Sequence, residues 1–116
     1  MYIDGILIAV PTDKRAEFIA HSEHVDAIFI EYGALRVVEN WADDVPHGHT
    51  TDFYRAVQAS EDESVVFSWI EWPDKATRDA GFAKLRDDPR MMDFPVPFDG
   101  KRMIFGGFTP VYTIAQ

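Results

Sequence analysis

The sequence predicts an α+β domain of the split βαβ kind, a mostly antiparallel sheet with two main helices on one face. Three observations predict it. Along a chain of 116 residues the hydrophobic pattern runs strand, helix, strand, strand, helix, strand, the order this layout requires. Two of the strands are apolar on both alternating sets of positions, as central strands covered on both sides are. The length suits one core and no more, so residues 1–116 form a single domain.

The first strand runs from Tyr2 to Val10, with Tyr2, Ile6, Ile8 and Val10 on one face and Ile3, Leu7 and Ala9 on the other. Pro11 ends it, and Thr12 or Asp13 is placed to cap a helix. From about Asp13 to Tyr32 the spacing changes to threes and fours. Phe18, Val25, Ile28, Phe29 and Tyr32 then share one stripe, with His21 inside it and His24 on its flank. Ile19 and Ile30 fall on the far side, and Gly33 sits at the C-cap.

Ala34 to Ala42 reads as a second strand, followed by the polar loop Asp43–His49. Phe53 to Ala59 reads as extended, and Ser64 to Trp72 as a strand with Val65, Phe67 and Trp69 opposite Val66, Ile70 and Trp72. A second helix starts at Pro73-Asp74 and runs to about Arg86, where Gly81 is costly unless the helix approaches the sheet closely. Asp88-Pro89 opens a short turn. Pro97–Phe108 holds a tight turn, the cations Lys101 and Arg102, an apolar run and Gly106-Gly107, and reads as the closing strand; Val111 to Ala115 reads as its continuation in the sheet beyond Pro110.

This is the ferredoxin-like arrangement. Two helices cover one face of its sheet, yet the other face is apolar too. Pairing two sheets face to face across a twofold axis buries it, so a homodimer, a dimeric α/β barrel, is predicted.

Composition narrows the function. A net charge of −9, with 11 basic against 20 acidic residues, argues against nucleic-acid binding, which depends on cations displacing phosphate counterions, and against anionic membranes. With no cysteine there is no disulfide, thiolate nucleophile or Cys-based zinc site. The N-terminus lacks a basic stretch and the run Ile6–Val10 is too short for a signal or a membrane span, so a cytoplasmic protein is expected. An aromatic content of 14% predicts buried surface beyond the core, at a partner subunit or in a ligand pocket.

Several segments together resemble one family. They are Tyr2-Ile3-Asp4-Gly5, Ala42–Gly48, Arg55-Ala56-Val57, Val65–Trp69, Asp88–Met91 and Phe98–Phe108. These are similar to the YbaA-like family, a bacterial family of unknown function assigned to the dimeric α/β-barrel superfamily. The resemblance covers nearly the whole chain and implies a ferredoxin-like subunit in a homodimeric barrel. It implies no catalytic residues. The wider superfamily includes cofactor-independent monooxygenases, lactone isomerases, haem-degrading enzymes and stress-response proteins.

The residues themselves offer a short set of chemical groups. His21, on the inward stripe, is a general base or hydrogen-bond donor facing the sheet, or else a histidine satisfied by a backbone carbonyl. His21 and His24, and His47 and His49, lack the spacing of two histidines four apart, and no metal or cofactor is predicted. Arg55 and Arg102 are the anion anchors. Arg102 lies in an apolar strand and needs a partner, with Asp4, Glu39, Glu71 and Asp99 available. Trp69 and Trp72 are set to line an aromatic cavity, or to fill core and interface. Ser68 has no Gly-x-Ser-x-Gly setting.

Two functions fit. One is binding of a small, partly apolar molecule between sheet and helices, with cofactor-independent oxygenase or isomerase-type chemistry in which His21 is the base. The other is a non-catalytic binding, structural or stress-related module whose barrel is fully packed.

Overall fold

The structure, a computed structural model, describes residues 1–116. Strand β1 spans Tyr2–Pro11 and passes through a 3-10 turn at Thr12–Lys14 into helix α1, Arg15–Glu31. Strand β2 follows at Arg36–Trp41, a single-turn helix α2 at Phe53–Ala56, strand β3 at Glu63–Trp72 and helix α3 at Lys75–Arg86. A 3-10 turn at Pro89–Met91 leads to strand β4, Ile104–Phe108. The sheet order is β2-β3-β1-β4 with every neighbouring pair antiparallel. The two doubly apolar strands are the central pair, in register from Tyr2 opposite Trp72 to Pro11 opposite Glu63. This is the ferredoxin-like fold.

The helices cover the face that carries Ile6, Ile8, Val10, Val66 and Ile70. Phe18 of α1 closes a core with Ile8, Val10 and Val66, while Ala34, Ile70 and Trp72 form a second one beside Phe29 and Phe82. Burying each of the Ile, Val and Phe side chains contributes about 1.5–3 kcal/mol. The helix α3 packs so closely that a Cβ on Gly81 would lie 2.9 Å from the Trp72 ring and 3.0 Å from the Tyr32 carbonyl oxygen. Gly81 is there for space.

On the opposite face the chain between β2 and β3 folds back over one end, where Ala9, Val57 and Val65 cluster. The rest is bare: Phe67, Ile104 and Phe108 are each between 44% and 61% exposed. No helix is long and apolar enough to cross a membrane.

Three local expectations are corrected. Residues Phe53–Ala56 are helical, because the Asp52 carboxylate accepts the Arg55 backbone N–H at 2.7 Å and caps that turn. Val111–Ala115 adds nothing to the sheet. Phe108 already pairs with Ile3 and β1 begins one residue earlier, so the neighbouring strand has run out, and Val111, Tyr112 and Ile114 are exposed. Neither Thr12 nor Asp13 caps α1; both lie in the 3-10 turn, and the Thr12 hydroxyl bonds the Ser64 hydroxyl at 2.8 Å. Gly33, with φ at +113°, does end α1. The Gly106-Gly107 pair marks close packing, since a Cβ on Gly107 would meet the Tyr2 ring.

Candidate functional site

Between the helices and the sheet lies a cavity of about 380 Å³. Twelve of its 18 lining residues are apolar, drawn from β1, α1, β3, α3 and the segment from Met91 to Phe105. The other six are Asp4, His21, Ser22, Asp26, Glu39 and Ser68. No lysine or arginine lines it. An occupant therefore meets mostly carbon, two serine hydroxyls, one imidazole and three carboxyl groups.

Of those carboxyls, Asp4 is already neutralised by its surroundings. It is 2% exposed, accepts the Trp72 indole N–H at 2.8 Å and pairs with the Arg78 guanidinium at 2.8 Å. A buried charge is tolerable only with such partners, so Asp4 is scaffold.

Asp26 and Glu39 differ. Asp26 lies on α1 next to buried Val25, and Glu39 alternates with Val37 and Trp41 on the helix-facing side of β2. Register puts Glu39 opposite Ser68 of β3, whose hydroxyl donates to the Glu39 carboxylate. Burial first, then the negative charge of Glu39 and a hydrogen bond with it, raise the Asp26 pKa to about 8. At neutral pH Asp26 holds a proton, and the two residues form an acid–carboxylate pair. Ser22, one turn earlier on α1, has a buried hydroxyl with no hydrogen-bond partner.

A second, open groove of about 800 Å³ runs between α1 and β2 on the solvent side. It shares Phe18, Ser22, Asp26 and Glu39 with the inner cavity. The carboxyl pair thus lies between the apolar cavity and the outer groove, bordering both.

His21 does line the cavity, its ring edge-on to Phe98 at 5.4 Å. Burial, and then the proximity of His24, lower its pKa and favour the neutral imidazole. The other four residues singled out by the sequence lie away from the cavity. Arg55 donates to the carbonyls of Gly48 and His49, both at 3.1 Å, and holds the loop before α2. Trp69 lies on the bare sheet face against Phe67 and donates to Glu71 at 2.9 Å. Trp72 is on the helix side but wholly buried. Arg102 bonds Glu63 at 2.6 and 2.7 Å, Asp99 at 3.0 Å and the Gln58 carbonyl at 2.8 Å. Asp99 was among its expected partners; Glu63, the main one, was not.

The acid–carboxylate pair is what sequence reasoning missed. Its signal lies in three polar interruptions of otherwise apolar faces: Asp26 beside Val25, Glu39 between Val37 and Trp41, and Ser68 between Val66 and Ile70.

The fold has close likenesses among solved structures. An uncharacterized NIPSNAP domain protein from Burkholderia xenovorans superposes with a TM-score of 0.65 at 19% identity, covering 100% of both chains. A dimeric ferredoxin-like protein from an uncultured marine organism gives 0.61 at 14% identity, covering 97% of this chain and 98% of that one. Sequence comparison goes further. Residues 1–100 match the model of a family described as a protein of unknown function, DUF1428, and the chain belongs to that family. It is 53% identical over 112 residues to Uncharacterized protein YbaA of Escherichia coli (strain K12), covering 95% of this chain and 96% of that one. The same figures hold for YbaA of Shigella flexneri.

Proposed function

We propose that this protein binds a small, neutral, largely apolar molecule in the cavity between sheet and helices and exchanges a proton with it, an isomerase-type reaction that needs no cofactor. The acid–carboxylate pair of Asp26 and Glu39 carries this reading. An apolar site that keeps one carboxyl protonated beside an ionised one has an acid and a base ready at the same pH. A cavity of about 380 Å³ falls at the lower end of ligand pockets, roughly 300–1,000 Å³. A fully packed module would have no such space. His21 serves here as a polar wall group.

The working unit is a homodimer. In one chain the sheet face bearing Phe67, Ile104 and Phe108 has no cover, and neither do Val111, Tyr112 and Ile114 of the tail. Apolar surface on that scale favours a second copy of the sheet, and the structural relative from the marine organism is described as dimeric.

Binding is tested with N-phenyl-1-naphthylamine, a neutral apolar dye that brightens out of water. Wild-type protein should give a saturable rise with one site per chain. Val25→Trp, which fills the cavity from α1, should remove it. A dye response that survives Val25→Trp would place the dye on the bare sheet and overturn the cavity reading.

A further inference from the structure

The chemistry of the lining narrows the substrate class, on the footing that the cavity binds and transforms a small apolar molecule as proposed. No cation faces the cavity, so a carboxylate or phosphate ester would be desolvated without a partner, at a cost that excludes it. Asp26 and Glu39 instead offer one hydrogen-bond donor and one acceptor at the edge of an apolar space. Neither is spent on an arginine or lysine, whereas Asp4, the third carboxyl, is paired with Arg78 at 2.8 Å. A donor beside a base matches a carbonyl group with a hydrogen on the neighbouring carbon.

We propose that the substrates are neutral, enolisable carbonyl compounds, with Glu39 as the base at the α-carbon and Asp26 as the acid at the carbonyl oxygen. In the forward step the Glu39 carboxylate takes the α-proton. The electron pair of that C–H bond becomes the new C=C bond, the carbonyl π pair moves to oxygen, and oxygen takes the proton of Asp26. The product is a neutral enol, with Glu39 now the acid and Asp26 the carboxylate. Reversal returns a proton to the same carbon. In a conjugated enol it returns to a more distant one and moves the double bond. No electrons are gained or lost overall, so no oxidant or metal is required.

The Ser68 hydroxyl, donating to Glu39, is a positioning group that aims the base. The unpartnered Ser22 hydroxyl is a second donor for the enol oxygen. Because the pair also borders the outer groove, its protons exchange with solvent on the side away from the substrate.

The test uses 2-tetralone, a neutral enolisable ketone, in D₂O with the full-length protein, followed by proton NMR. Wild type should catalyse loss of the α-proton signals, and Asp26→Asn and Glu39→Gln should each slow it roughly a hundredfold or more. The isosteric amine 2-aminotetralin should bind more weakly than the ketone. Exchange that is equal in wild type and both variants, ketone binding without exchange, or tighter binding of the amine would each overturn the carbonyl assignment. If the naphthylamine dye still fills the cavity in those cases, the cavity reading stands; if neither dye nor ketone enters, both readings fall.

Discussion

Asp26 on α1 and Glu39 on β2 both line the boundary between the apolar cavity and the outer groove. Nothing cationic in the cavity lining compensates the pair. Burial and the neighbouring charge therefore act on its proton affinity directly, and that has measurable consequences.

The first concerns pH. Asp26 has a pKa of about 8 in the folded chain against an ordinary 3.8, so the folded state binds this proton more tightly than the unfolded state does. Its contribution to stability is complete below about pH 4 and is lost as pH rises to about 8, at up to about 1.4 kcal/mol per pH unit. Glu63 acts in the opposite sense. Hydrogen bonding to Arg102 first, with smaller help from Ser60, holds its pKa at about 2 against 4.5; its contribution is present above pH 4.5 and lost as pH falls toward 2. Thermal melts from pH 4 to 9 should show stability declining between about pH 4 and about pH 8 and levelling off above that, and Asp26→Asn should flatten that decline. An unchanged slope in Asp26→Asn would assign it to other groups.

Gly81→Ala should destabilise. In an exposed helix the change normally gains about 0.5–1 kcal/mol. Here the new methyl would sit 2.9 Å from the Trp72 ring and 3.0 Å from the Tyr32 carbonyl oxygen, and overpacking of that kind costs about 1–3 kcal/mol. Urea denaturation of the two proteins decides the sign.

Removing Arg78 should be worse. Asp4 is 2% exposed and would keep only the Trp72 indole N–H. Arg78→Met leaves a buried carboxylate short of its cation, an effect of about 3–5 kcal/mol. The double change Asp4→Asn with Arg78→Met should recover part of the loss, which equilibrium unfolding would measure.

Arg102→Gln separates scaffold from ligand anchor. Its guanidinium is engaged by Glu63, Asp99 and the Gln58 carbonyl, so the variant should melt several degrees lower, roughly 4–8 °C, with dye affinity unchanged. A weakened dye affinity at equal folded fraction would return Arg102 to the ligand site.

The bare sheet face gives a prediction of its own. Phe108 is 61% exposed in one chain, and Phe108→Asp would bury a charge at the proposed interface. Light scattering at micromolar concentration should report twice the 13.2 kDa chain mass for wild type and a single chain for the variant.

Much of the fold was legible because it rests on patterns with a fixed period. The alternating apolar sets of Tyr2–Val10 and Ser64–Trp72 identify the central strands, and the stripe Phe18, Val25, Ile28 identifies the buried side of α1. Gly81 announced its close approach by being a poor helix former. What stayed hidden depends on non-local partners. The turn at Phe53–Ala56 is held by a cap from Asp52, and its aromatic residues alone favour a strand. The tail failed to pair because β1 ends, which no residue of the tail records. The carboxyl pair lies 13 residues apart in the chain, and each member by itself resembles a solvated acid. Only the packing of α1 on β2 brings them together.

The central claim is that Asp26 is protonated at neutral pH beside an ionised Glu39. Carbon-13 NMR of the Asp26 side-chain carboxyl, titrated from pH 3 to 10 with Asp26→Asn to assign the signal, reads this directly. The predicted result is a main titration step near pH 8 that moves toward the ordinary aspartate range in Glu39→Gln; a single step near pH 4 in the wild type would contradict it.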